Sequence, residues 1–191
     1  MAGVASPMLK RSRRHGARFL TGLAVGGATA GLVLALLALL IGQLAHQLVP
    51  SSVRVGVLVT MAVACGLADL SGHTPHVWRQ VPQRLVRSLP PGTLGLVWGF
   101  DLGLLVTTQK ASSLLWLSIA AITLLNPALA PIALVGFSLA ATAGIVMWSL
   151  TPWAMRLERI RDRTWVRRAR IVTGMTMLCA GLGTLLATVL V

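Results

Sequence analysis

The chain has 191 residues, of which 55% are hydrophobic and only 11% charged, and its mean hydropathy is +0.81. Soluble domains carry about a quarter charged residues, so this composition excludes a water-soluble fold with a polar surface. The net charge of +13 comes from 17 Lys and Arg against 4 acids; these cations cluster between apolar runs and form no separate basic face, a pattern that fits loops beside an anionic leaflet and not a nucleic-acid groove.

In chain order, Met1 to Arg18 is small, polar and basic, with Lys10, Arg11, Arg13, Arg14 and Arg18 leading into an uncharged run from Phe19 to Leu44. The apolar core of a cleaved secretory signal is about 7 to 15 residues, and this run is much longer, so a retained membrane helix is expected. Past Val49, Pro50, Ser51 and Ser52, a second span is expected from Val53 to Leu70, with Arg54 at its start snorkelling toward the headgroups. Ser71 to Pro91, with His73, Pro75, His76, Trp78 and three arginines, reads as an interfacial loop closed by Pro90 and Pro91. From Gly92 to Leu150 the chain is apolar apart from Asp101, the group Thr107, Thr108, Gln109, Lys110, Ser112 and Ser113, and the breakers Asn126, Pro127 and Pro131. Thr151 to Arg170 is an arginine-rich loop in which Met155 to Arg170 reads as an amphipathic surface segment, where Glu158 can meet Arg161 and Asp162 can meet Arg159 at helical spacing. The last apolar run is Ile171 to Val191.

Placing the N-terminal segment, the Ser71 to Pro91 loop and the Thr151 to Arg170 loop in the cytoplasm puts 15 of the 17 basic residues inside. An even number of crossings must then join consecutive basic segments. The solution is one crossing from Thr93 to Leu125 by a helix broken near residues 108–113, and a return from Ala128 to Leu150. The expected fold is all-α: a polytopic transmembrane helical bundle of five crossings, or six in the alternative arrangement. Residues 1–18 form a basic cytoplasmic segment and residues 19–191 a single membrane domain.

Two patterns stand out within the spans. Gly22, Gly26, Gly27 and Gly31 in the first resemble Gly95, Gly99 and Gly103 in the third. Small residues four apart let another helix backbone approach closely, which packs helices in lipid; the same echo is compatible with two parallel halves, each opening with a glycine-lined broken helix. Asp101 reads as the only acid well inside an apolar stretch, and a carboxylate there costs several kcal/mol unless paired, hydrated or protonated. Together with Thr107, Thr108, Gln109 and Lys110 it forms the candidate substrate or ion pathway; the structural alternative is a carboxylate that pins two helices.

His73 and His76 have metal-ligand spacing, but Pro75 between them opposes a helix and no third ligand is evident, so no metal is assigned. Cys65 and Cys179, far apart in apolar runs, read as buried thiols. Hydrolase, phosphate-loop and zinc-protease motifs are absent from the sequence, so no enzyme activity and no cofactor is expected.

The segment Gly95 to Leu125, GLVWGFDLGLLVTTQKASSLLWLSIAAITLL, resembles the second-half broken helix of the CcdA and DsbD transmembrane family, thiol-disulfide carriers of cytochrome c biogenesis. The Gly99, Phe100, Leu102, Gly103 framework carries the resemblance. The break reads Val106, Thr107, Thr108, Gln109 where that family has Pro-Cys, and Cys65 and Cys179 stand elsewhere. The resemblance therefore implies a scaffold without its redox pair. The resulting expectation is a bacterial inner-membrane protein, N-terminus cytoplasmic, of transporter-like or accessory-subunit type. Its partners would be the lipid bilayer and another membrane subunit or cytoplasmic protein, without nucleic acid. The alternatives are a membrane thiol-disulfide oxidoreductase joining Cys65 and Cys179, or a structural anchor for a cytoplasmic partner.

Overall fold

A computed structural model describes residues 12–74, 88–105, 112–150 and 163–189, and every element of regular structure among them is helical. The elements are α1 (Arg13–Leu48), α2 (Ser51–Leu70), α3 (Pro91–Gly103), α4 (Leu114–Leu125), a 3-10 turn (Pro127–Leu129), α5 (Ala130–Leu150) and α6 (Arg163–Val189).

Proline and glycine set most of the boundaries. Pro50 follows the end of α1 and precedes the first residue of α2. At the other end of α2, Gly72 adopts φ +80°, while His73 N donates to Ala68 O at 2.9 Å and Gly72 N to Asp69 O at 3.2 Å. That pair of bonds is a Schellman cap, in which a glycine in the left-handed region closes the last turn. Pro91 opens α3 as its first residue, where its missing N–H costs nothing. The other end of α3 has no glycine at the bend: Leu105, with φ 58°, takes the left-handed conformation instead, which side chains normally avoid. Asn126 and Pro127 end α4.

Four stretches are long and apolar enough to cross a membrane: Arg13–Leu48, Ser51–Leu70, Pro127–Gly144 and Val166–Ala187, with Leu114–Leu125 a shorter apolar helix. Their most apolar windows are only 17% to 33% buried within the protein. Leu36, Leu40 and Ile41 of α1, Ile132 of α5 and Val172 and Leu186 of α6 are all more than half exposed, an outer surface that suits hydrocarbon and not water. Hydroxyls along these helices are satisfied locally: Thr21, Thr60, Thr173, Thr176 and Thr184 each donate to a carbonyl one turn back. In lipid no water is on hand to take those protons.

Two compact units make up the chain. One contains Met1–Ala35, Val77–Thr108 and Pro131–Arg161, and the other Leu36–His76, Gln109–Ala130 and Asp162–Val191. In the first, α3 lies directly against the N-terminal part of α1. A Cβ at Gly22 would meet Gly92 O, at Gly26 Leu96 O, at Gly95 Phe19 O and at Gly99 Leu23 O, so neither helix tolerates a side chain on this seam. The neighbouring face of α1 receives α5: Gly27 touches Thr142, and Gly31 lies beside Val135 and Ser138. Phe19, Leu23, Leu94, Trp98 and Leu102 form the core there, with the Phe19 and Trp98 rings edge-on at 5.8 Å. In the second unit α2 packs along α6, where Gly66 and Gly174 lie against each other, and α4 packs on α2.

Three expectations are corrected. α1 runs unbroken for 36 residues, so the chain does not open with a broken helix, and each unit is assembled from three separate stretches and not from one half of the sequence. The break expected at 108–113 falls between α3 and α4, but α3 already ends at Gly103, ahead of it. Arg54 turns into the protein, as described next, and does not snorkel outward.

Candidate functional site

A buried carboxylate anchors the second unit. Asp69, in the last turn of α2, is 1% exposed. Its Oδ2 accepts from Ser113 N at 2.8 Å, and its Oδ1 accepts from Ser113 Oγ at 2.7 Å and Thr74 Oγ at 2.9 Å. Ser113 immediately precedes α4 as its N-cap, so the carboxylate occupies the N-terminal end of that helix, where free N–H groups and the helix dipole favour negative charge. Thr74 and Ser113 are themselves buried, which closes the cluster from outside. Cys65 is buried one turn before Asp69.

Opposite charges meet the far end of α4. Leu124 O accepts from Arg54 Nη1 at 3.0 Å and lies 3.0 Å from His46 Nε2. Arg54 and Asp69 both belong to α2, so the two helices run antiparallel and each end of α4 meets the charge its dipole prefers. Helix α4 has 12 residues, roughly 18 Å at 1.5 Å per residue, too short to cross alone. The α2 side chains satisfy backbone groups that lipid would leave bare.

The first unit has its own carboxylate at a helix end. Asp101 lies in the last turn of α3 and is 7% exposed. The carbonyl of Gly103, freed where α3 stops, accepts from Ser138 Oγ of α5 at 2.7 Å. Trp98, one turn before Asp101, is 3% exposed, and its indole N–H has no hydrogen-bond partner among the described residues.

Of the residues singled out from the sequence, Asp101 is buried beside the end of α3, while Thr107, Thr108, Gln109 and Lys110 lie outside the described residues. Gly22 and Gly26 face α3, Gly95 and Gly99 face α1, Gly27 and Gly103 contact each other, and Gly31 faces α5. The two glycine patterns that resemble each other in sequence thus press together in space. His73 is exposed and His76 falls outside the described residues, as do Glu158, Arg159, Arg161 and Asp162. Both cysteines are free, and Cys179 is exposed, contrary to the expectation of two buried thiols. Asp101 is not the only acid inside the apolar region: Asp69 is the more deeply buried of the two. Its place at the end of the expected second span, two residues before Ser71, kept it from standing out as Asp101 does. A Ser-Ser pair at 112–113 ahead of an uncharged helix was the available signal for its partner. No family model, curated protein or solved structure matches this chain.

Proposed function

We propose that this chain is a bacterial inner-membrane protein of transporter-like or accessory-subunit type, built on a scaffold similar to the CcdA and DsbD family and crossing the bilayer five times with its N-terminus in the cytoplasm. The observation that carries this reading is a pair of helices too short to cross, each with a buried carboxylate at one end: α3 stopping beside Asp101, and α4 starting on Asp69. Membrane carriers form solute and ion sites where helices are interrupted, because freed backbone groups and an ionisable side chain then line a cavity in an otherwise apolar medium. A membrane anchor needs neither interruption. At 13 and 12 residues, α3 and α4 have lengths of roughly 20 and 18 Å, each short of a hydrocarbon core about 30 Å thick.

Asp101 is assigned to the pathway and Asp69 to holding α4. The test replaces Asp101 by Asn, which keeps hydrogen-bonding capacity and removes the charge. The variant is expected to extract in detergent as a monodisperse protein and to fail to restore the phenotype of a deletion strain. Full restoration by both Asp101→Asn and Asp101→Leu would overturn the pathway reading.

A further inference from the structure

The first two turns of α1 carry Arg13, Arg14 and Arg18, all exposed, around the buried Gly16 and Phe19. These cations sit at the positive end of the helix dipole, the end that favours acids, yet the first turn contains no acidic residue and the sequence contains none before Asp69. The patch therefore lacks a local counter-charge in sequence and invites one from outside. Its position along the helix identifies the source. From Phe19 to Ala45 α1 is uncharged, a length of about 40 Å at 1.5 Å per residue, and a bilayer with its headgroup layers is about 40–45 Å thick. With His46 at one interface, Arg18 falls at the depth of the lipid phosphates on the other, and Arg13 and Arg14 lie just beyond. The exposed side chains that follow on the same helix, Val25, Leu32 and Val33, are apolar and suit acyl chains.

We propose that Arg13, Arg14 and Arg18 form a binding surface for the phosphate groups of anionic phospholipids, so that α1 selects such lipids in addition to crossing the membrane. Guanidinium groups pair with phosphate oxygens bidentately, which suits them to this ligand better than ammonium groups.

The experiment uses the full chain in nanodiscs of phosphatidylcholine alone or mixed with phosphatidylglycerol, followed by native mass spectrometry of the lipids retained on release. Preferential retention of phosphatidylglycerol is expected. Each basic residue near an anionic surface is worth about a factor of five, so combining Arg13→Gln, Arg14→Gln and Arg18→Gln should cut the preference on the order of a hundredfold. The corresponding triple lysine variant should keep most of it. Should the triple glutamine variant fail to fold, Arg14→Gln alone is expected to lose about fivefold. Excess inorganic phosphate is expected to leave the retained lipid in place. Equal retention of both lipids by the unmodified chain, an undiminished preference in a folded glutamine variant, displacement by inorganic phosphate, or tighter capture of an oligonucleotide than of the lipid would each overturn the proposal.

Discussion

Asp69 accepts three hydrogen bonds in a space closed to solvent, and every donor comes from a residue beyond the end of its own helix. Such a group is costly to remove in part. Asp69→Ala takes the acceptor away from the Ser113 N–H and from two hydroxyls, and each buried donor left unsatisfied costs about 1–3 kcal/mol. Asp69→Asn still offers one acceptor, which the two hydroxyls can share, but its amide group faces a backbone donor at Ser113, so a loss of about 1–2 kcal/mol is expected. Thermal unfolding in detergent should rank the unmodified chain above Asn and Asn above Ala; an Ala variant as stable as the parent would show that the cluster does not hold α4. Sequence reading passed over this residue because hydropathy places it at the edge of a run, whereas its burial is decided by Ser113, which lies 44 positions away. Asp101 was legible for the opposite reason, since apolar residues flank it on both sides.

At the scale of elements, the seam between α1 and α3 is defined by what is absent from it. Gly99→Ala would push a methyl group into Leu23 O, and because the obstacle is backbone the helices must separate, at a cost of about 1–3 kcal/mol for overpacking. Gly136 of α5 is the control: among the described residues, nothing would lie within 4 Å of a Cβ there. Gly136→Ala should leave the thermal midpoint nearly unchanged while Gly99→Ala lowers it, and equal effects would mean that close approach is not what stabilises the seam. The four-residue glycine spacing made a close contact readable from the sequence, but not the partner, because Gly136 belongs to the same residue type and faces open space. Helix ends were readable where Pro50, Pro91 and Pro127 mark them. The end of α3 was not, because Leu105 enters the left-handed region with no turn-forming residue to announce it.

For the whole molecule, membrane character followed from composition alone, and the long helices stand where uncharged runs were expected. The number of crossings was harder, since α3 and α4 are each shorter than a span and hydropathy averages across their interruption. Reporter fusions after Pro50, Arg87 and Arg163 are expected to read outside, inside and inside under the positive-inside rule. An outside signal at Arg163 would sink the five-crossing arrangement.

The two-ended clamp on α4 also sets a schedule for biogenesis. Arg54 and Asp69 emerge from the ribosome well before the groups they bind, by 70 positions for Leu124 and 44 for Ser113. At about 5–20 residues per second, Asp69 waits roughly 2 to 9 s before the start of α4 is synthesised. Until then α2 has a guanidinium at one end without its acceptor and at the other a carboxylate with only Thr74 of its donors made. An ionised group without its partner is costly in lipid, so the clamp that holds α4 on α2 closes only once Ser113 and Leu124 have been made.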